Sequence, residues 1–528
     1  MPNFIRGMMG DSGTSLVEID KSALFQQANS ECLSRTPGGA ATNLKLWTWS
    51  GWIQRASLNS GGYSNIYCGF EGASGDRWGF LEMGGSTGDN LSFIMTDGSE
   101  GNIRTSAVQR DTNAFSHYVI RYDTAQAVAS DRIKIWINGV LQTAFGSAVY
   151  PALNRDGGVN DTTIQRQGGN QTGGQTFDGY MAYTAMCDGQ SYSASDFGEF
   201  DETGLYWTSK SSTAIQALTF GNNGWFSTFD SSVTADDSAN SNTWTDVNTV
   251  TLSTHTPTNS GCLLSPINIL PLGSATLSQG NLNAIGTSFK GNQGSLYSPA
   301  GGKWGIKFTS NTTCAGSTDL SFGLASANTK VWNSSYEPWD IGMYIRGYNG
   351  AVIINTTTVH APSDNVAATD YFEFLWDEDD GDITILKNGS AYYSGSSVVT
   401  TGQSFTPFIA SSNSASMNLN SGPDGYSPSD SDYKIINTTN IAANTTRTAA
   451  DTTKYFDTIL YEGNGGGQRV GQFQPFDNAF TVAYGGLFNL VATTQDTDNA
   501  WLTRSQDAGA SQKKFTFSFW FKMNDISL

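Results

Sequence analysis

Five acids crowd into residues 377–382, where Asp377, Glu378, Asp379, Asp380 and Asp382 surround Gly381. Several carboxylate oxygens held close together are what a hard cation such as calcium requires. Against the EF-hand pattern the glycine stands at the fifth position from Asp377 rather than the sixth, so that motif is absent. The plainer role is a tight loop between two strands whose acids are solvated. Asp123, together with distant loops, is the other place a calcium site would draw on. Acid pairs can also cleave sugars, because a glycosidase needs two carboxyls flanking the scissile bond. Glu18-Ile19-Asp20 opens such a pattern, but Lys21-Ser22-Ala23 follows and no third acid arrives. The expected role of Glu18 and Asp20 is therefore that of surface acids on an edge strand.

Three histidines are present, His117 at the head of a strand and His255 and His360 in polar loops. Chain order identifies no Ser-His-Asp or His-His-Glu site, because geometry defines such sites. A surface or hydrogen-bonded role is the expectation for each. No Gly-rich stretch follows a strand and opens a helix, so nothing points to a phosphate cradle. Aromatic rings are the usual sugar platforms. Trp207, Trp225, Trp244, Trp332 and Trp339 lie in or near loops, as stacking platforms or as plugs in a sandwich edge. Trp47, Trp49, Trp136 and Trp376 sit on strands and read as core. Cys32, Cys68, Cys187, Cys262 and Cys314 are odd in number and contain no C-x-x-C, which points to buried free thiols and assembly in a reducing cytoplasm. These patterns assign no catalytic, cofactor-binding or metal-ligating residue, and no cofactor.

The elements that would carry these residues are strands. In residues 131–142, DRIKIWINGVLQ, Ile133, Ile135 and Ile137 alternate with Lys134 and Trp136 and run into Asn138-Gly139. A period of two places alternate side chains on opposite faces, and Asn-Gly favours a tight hairpin turn. Residues 382–393, DITILKNGSAYY, repeat the plan with Asn388-Gly389. Each copy follows an apolar strand, HYVIRYD at 117–123 and YFEFLWD at 371–377. The chain has 528 residues, 59 of them glycine, with many short alternating runs separated by Gly, Asn, Ser and Asp. The fold class is all-β, as tandem antiparallel β-sandwiches. Residues 46–55, LWTWSGWIQR, read as a central core strand with Trp47, Trp49 and Gly51 on one face and Thr48, Ser50 and Trp52 on the other. Residues 16–25 read as a first strand and 195–200 as a short helix capped by Ser193 or Ser195.

The expected division is an arm at 1–15, a sandwich at 16–230, a polar linker or surface-hugging loop at 231–263, a second sandwich at 264–445 and a connecting β segment at 446–485. Residues 263–286 read as irregular. Residues 501–522 echo 32–54, with Leu502 and Arg504 matching Leu33 and Arg35 and FTFS at 515–518 matching WTWS at 47–50. A second copy of the first sandwich is thus expected to begin near 486, and the polypeptide is expected to continue past 528. A net charge of −19 opposes binding to a phosphate backbone, so nucleic acid is not an expected partner. The first residues have no apolar core of signal-peptide length, and no apolar run approaches membrane-spanning length, so membrane insertion is not expected.

The strings IDKSALFQQANSECLSRTP with WTWSGWIQR, then TAQAVASDRIKIWINGVLQTAF and FDGYMAYTAMCDGQSYSASDFGE, resemble a family of tailed-bacteriophage virion proteins. That resemblance implies a first domain of laminin-G-like, concanavalin A-like jelly-roll type. DEDDGDITILKNG at 377–389 resembles the acidic turn, strand and Asn-Gly of SPRY-type sandwiches, and 454–477 resembles a segment that follows them in the same phage proteins. The resemblance implies a tail-fibre, spike or structural virion protein that acts by adhesion or architecture rather than catalysis. It also implies other virion proteins as partners, a homo-oligomer such as a trimer, and host-surface carbohydrate as a ligand. Two other readings stay open. One is a capsid or tail decoration protein without a receptor. The other is a glycan-degrading enzyme on a concanavalin A-like fold.

Overall fold

The computed structural model describes residues 17–443, apart from 59–62, 71–77, 85–87, 96–100, 171–173, 202–205, 271–272, 289, 315–319 and 328–340, together with 460–461 and 468–469. The architecture is all-β, with four large sheets packed as two sandwiches. In sheet I the order is Val140–Leu141, Ile133–Ile137, Ser116–Asp123, Leu46–Arg55, Gly179–Asp188, Ser22–Phe25 and Thr251–Ser253, with Trp225–Ser227 also on Gly179–Asp188. Sheet II runs Phe145–Val149, Gly101–Val108, Asn90–Met95, Trp78–Gly84, Tyr63–Phe70, Ile164–Gln167, Cys32–Arg35 and Thr245–Val247. Sheet III runs Leu264–Ile269, Lys290–Gly294, Phe405–Ser411, Leu320–Ser326, Gly342–Arg346, Val352–Ile354 and Thr357–His360. Sheet IV runs Thr276–Ser278, Asn283–Ile285, Ser416–Asn420, Lys303–Ser310, Tyr371–Asp377, Asp382–Lys387 and Ser390–Gly395, with Lys434–Ile435 added in parallel.

The Leu46–Arg55 strand organises the first sandwich. Trp47, Trp49 and Ile53 point into the space between sheets I and II, where Trp47 stacks on Tyr122 at 5.4 Å and meets Phe93 edge-on at 5.3 Å. Gly51 shares that face because a Cβ there would stand 2.7 Å from the Trp49 ring. Trp52 points the other way, into a separate cluster with Phe115, Tyr180, Phe197, Trp207 and Phe226. Sheet I is therefore apolar on both faces, and every residue of Gly179–Asp188 is buried. The helix beneath it is Ala194–Phe197, shorter than expected, with Ser193 and Asp196 forming a capping box. The first strand is shorter too, Ser22–Phe25, which leaves Glu18 and Asp20 exposed ahead of it. In the second sandwich Trp304, Phe308, Phe322, Phe374, Trp376, Ile383 and Ile385 form the core.

Both Asn-Gly pairs are turns in which the two residues have positive φ: 48° and 79° at Asn138-Gly139, 53° and 78° at Asn388-Gly389. The asparagine does the same work in each. Asn138 N–H donates to His117 O at 2.8 Å and its Oδ1 accepts from His117 N–H at 2.8 Å. Asn388 makes the matching pair with Tyr371, at 3.0 and 2.9 Å. The surroundings differ. A Cβ on Gly139 would lie 2.2 Å from the Trp207 ring, whereas one on Gly389 would meet only the Tyr371 hydroxyl at 3.1 Å. Both alanine variants strain the turn by about 1 kcal/mol, and Gly139→Ala adds an overlap that costs about 1–3 kcal/mol more. Urea unfolding of the two variants is expected to rank Gly139→Ala as the worse. Equal losses would remove the Trp207 contact from the account.

The polar segment at 231–263, expected as a linker or surface-hugging loop, is instead part of the first sandwich. Thr245–Val247 pairs with Cys32–Arg35, and Thr251–Ser253 pairs with Ser22–Phe25, so this segment adds the last strand to both sheets. Its Ser, Asp and Asn side chains satisfy the backbone rather than water. Asp236, for example, accepts from the amides of Phe226 and Ser238, both at 2.9 Å. That use of polar side chains gives the composition of a linker to a folded segment. Residues 263–286, expected to be irregular, contain the strands Leu264–Ile269, Thr276–Ser278 and Asn283–Ile285.

The two sandwiches dock directly. Tyr180 Oη donates to Gly280 O at 2.7 Å, Asn281 Nδ2 to Ala56 O at 2.8 Å, and Thr254 Oγ1 to Gly422 O at 2.9 Å. Leu263 and Leu282 join the cluster around Trp52 and Tyr180. In the connecting segment Leu460–Tyr461 pairs antiparallel with Gln468–Arg469. The expected arm at 1–15 and the expected second copy from 486 lie outside the described residues.

Candidate functional site

The strands bring a serine and a histidine together. Ser50 and His117 occupy adjacent strands, with Ser50 Oγ 2.8 Å from His117 Nε2. On the other side Trp207 Nε1–H donates to His117 Nδ1 at 3.0 Å. An indole nitrogen only donates, so Nδ1 accepts and the neutral ring carries its proton on Nε2. That proton points at Ser50 Oγ. A base that must remove the serine proton needs the opposite tautomer. Burial pushes His117 down to about 3, so it stays neutral at ordinary pH. His255 is held the same way: Gly261 N–H donates to Nδ1 at 3.0 Å, which leaves Nε2–H for Gln54 Oε1 at 2.8 Å. Both are buried hydrogen-bonded histidines. His360, expected in a loop, ends the strand Thr357–His360 opposite Val352 and is half-buried, with its ring edge-on to Tyr392 at 4.9 Å.

The acidic run is a self-capped loop between two sheet IV strands. Asp377 Oδ1 accepts from the amides of Asp379 and Asp380 at 2.9 and 3.3 Å, and its Oδ2 faces Lys303 Nζ at 3.4 Å. Asp379 accepts from Gly302 N–H and Asp382 from Ser397 N–H. Glu378 turns inward, 1% exposed, and accepts from Trp376 Nε1–H at 2.8 Å. Asp123 is buried and accepts from Gln126 and Ser191. Among the described residues no three His, Cys, Asp or Glu side chains converge as a cation cage.

Three of the loop tryptophans are plugs. Trp207, Trp225 and Trp244 are 7%, 0% and 4% exposed, and Trp225 meets Trp244 edge-on at 4.9 Å with Arg35 over the Trp244 ring. None of the three can offer a ring face to a sugar. Trp332 and Trp339 lie outside the described residues. The strand tryptophans Trp47, Trp49 and Trp376 are core, and Trp136 is half-buried under Arg121. All five cysteines are buried free thiols. Burial pushes Cys68 and Cys262 up to about 12.

A polar row that the sequence reading did not single out crosses the outer side of sheet II. Asn65, Glu82, Ser92, Arg104 and Ser147 are successive partners across five strands. Leu81, Met83, Leu91, Phe93 and Ile103 alternate with them and fill the core, so the row faces away from it. It passes from buried Asn65, Glu82 and Ser92 to half-exposed Arg104 and Ser147. Burial raises Glu82 to about 7, and the charge of Arg104 works in the opposite direction. Near neutral pH this carboxyl is thus both donor and acceptor. Glu82 is the one acid among these five positions, where glycoside hydrolysis uses two. The available signal was the lone acid between Leu81 and Met83 in an otherwise apolar strand. Its neighbours Ser92 and Arg104 are set by strand register, which the sequence does not display.

No family model matches the chain, and no curated protein matches it. Solved structures do. The SPRY domain of human HERC1 is 14% identical, over 30% of this chain and 96% of that one, with a TM-score of 0.24. Mouse laminin α1 domains LG4-5 are 10% identical, over 78% of this chain and 90% of that one, with a TM-score of 0.27. A candidate carbohydrate-binding protein from Bacteroides ovatus is 16% identical, and the match spans 45% of this chain and 60% of that protein, with a TM-score of 0.31. Likenesses at this level carry no argument about ligand or activity.

Proposed function

We propose that this chain is a non-enzymatic structural protein of a bacteriophage virion, of tail-fibre or spike type, whose sandwiches contact host-surface glycans. The motif resemblance supplies the virion setting, assembly in the bacterial cytoplasm beside other virion proteins, and a homo-oligomer, trimeric in fibres and spikes. The observation that bears on a binding role is the open end of the Asn65–Glu82–Ser92–Arg104–Ser147 row, where half-exposed Arg104 and Ser147 are backed by buried Ser92, Glu82 and Asn65. It sets neutral, acidic and basic hydrogen-bonding groups in fixed register on a rigid sheet. Hydroxyl-rich ligands are recognised by such mixed donors and acceptors, and several copies in one particle multiply weak contacts.

The raised carboxyl of Glu82 favours one second reading, a glycan-degrading enzyme, because a general acid needs its pKa near working pH. The two readings separate with the full chain. It is applied to a printed array of bacterial surface glycans and incubated with the same polysaccharides while reducing ends are counted. Retention on the array without release of reducing ends is expected. Release that disappears in Glu82→Gln would replace the adhesin with an enzyme.

A further inference from the structure

The second sandwich carries its own polar row, on the outer side of sheet IV. Ser278, Asn283, Asn418, Thr309 and Tyr371 are successive partners across five strands. Ala284, Met417, Leu419, Phe308 and Phe372 alternate with them and pack in the core. Four of the five positions in the row are Ser, Asn or Thr, in a chain whose net charge is −19. The side chains are locked by one another. Asn418 Oδ1 accepts from Asn283 Nδ2 at 2.6 Å and from Asn311 Nδ2 at 3.0 Å. With both lone pairs of Oδ1 engaged, the carboxamide has one orientation, and its Nδ2 hydrogens point away from these partners. Among the described residues Asn418 Nδ2 has no acceptor. Thr309 Oγ1–H is committed to Asn420 Oδ1 at 2.7 Å, which leaves the Thr309 oxygen as an acceptor. Asn311 is exposed, and its Nδ2 is spent on Ser416 and Asn418, so its Oδ1 is also an acceptor. Asn418 and Thr309 are themselves half-exposed.

The ladder thus presents a donor pair, Asn418 Nδ2, next to a segment that carries two acceptors, Thr309 Oγ1 and Asn311 Oδ1. Groups frozen before a ligand arrives lose no rotamer freedom on binding. We propose that this ladder is a subsite for a neutral saccharide unit, a hexose or N-acetylhexosamine. Each sugar hydroxyl both donates and accepts, which matches a donor pair with acceptors beside it. The five row positions carry no charge, and the neighbouring Lys307 ammonium is engaged over the Tyr371 and Tyr426 rings at 5.6 and 5.0 Å. This inference rests on the adhesin reading and adds a place and a ligand class to it.

Two near-isosteric variants test it. Asn418→Asp keeps the Oδ1 acceptor for Asn283 and Asn311 and removes the outward donor. Thr309→Val removes one acceptor at constant shape. Full-length chain and variants are applied to an array of neutral and acidic oligosaccharides, and the strongest neutral hit is titrated by calorimetry. The expected result is neutral binding by the parent, at least a tenfold weaker constant for Asn418→Asp, a smaller loss for Thr309→Val, and cooperative melting of both variants, with a small drop for Thr309→Val from the lost bond to Asn420. Parent binding that both folded variants retain in full would overturn the subsite and leave the adhesin standing. Binding to acidic glycans alone would overturn the ligand class. A parent that binds no glycan would remove the adhesin reading and this inference with it.

Discussion

Asp188→Ala is expected to destabilise the first sandwich by about 4 kcal/mol or more, enough to deplete the folded chain at ambient temperature. The Asp188 carboxylate is 0% exposed. It accepts from Thr42 N–H at 2.7 Å, Asn43 N–H at 3.4 Å, Asn223 N–H at 3.1 Å and Asn160 Nδ2 at 2.7 Å. These groups come from the loop before Leu46–Arg55, from residues 160 and 223, and from the end of Gly179–Asp188 itself. One side chain therefore ties together four places in the chain. Deleting it strands buried donors, and each orphan costs roughly 1–3 kcal/mol. Asp188→Asn is expected to be little better, because its amide would set two more donors against donors. Urea midpoints for both variants, with exposed Asp20→Ala as the control, give the comparison. A loss below about 1 kcal/mol for Asp188→Ala would mean that water or rearrangement replaces the carboxylate.

Glu378→Gln is expected to do the opposite, stabilising the chain at high pH and flattening its pH dependence. Burial pushes the Glu378 carboxyl up to about 9, the Trp376 bond works against that shift, and the charges of Asp379 and Asp377 add to it. Its Oε2 is buried and, among the described residues, has no hydrogen-bond partner. A carboxyl whose pKa is higher folded than unfolded makes the folded state the one that binds more protons. Stability then falls as pH rises from the ordinary carboxylate range, near 4.5, to about 9, and is level outside that window. The slope for one such group approaches about 1.4 kcal/mol per pH unit, and the whole effect is several kcal/mol. Glutamine keeps the acceptor for Trp376 Nε1–H and never ionises. Glu82 has the same sign over a shorter window, ending near 7, and buried thiols such as Cys68 and Cys262 add a slope of the same sign as pH approaches 9, so the Glu378 share is the difference between parent and Glu378→Gln. Thermal melts of parent and variant at pH 5, 7 and 9 read this directly. A stability gap that is the same at all three pH values would show that Glu378 is not the group that titrates.

Where side-chain type and period settle a local choice, the sequence alone determined the outcome. The Ile133-Ile135-Ile137 and Ile383-Ile385 alternations are strands because only a period of two puts those residues on one face. Asn138-Gly139 and Asn388-Gly389 are turns because both positions need positive φ. Trp47 and Trp49 are core because large rings on one face of a long strand have no other place to go. The tertiary structure decided whatever depends on register and on what lies opposite. Residues 245–247 and 251–253 look like linker because their polar side chains bond their own loop, and only pairing with Cys32–Arg35 and Ser22–Phe25 makes them strands. Trp207 and Trp244 look like platforms until His117 and Arg35 arrive from 90 and more residues away. The same holds for Glu82 beside Arg104 and for Asn418 between Asn283 and Asn311. Each is an ordinary strand residue in the sequence, and strand pairing brings its partners within hydrogen-bonding or Coulombic reach.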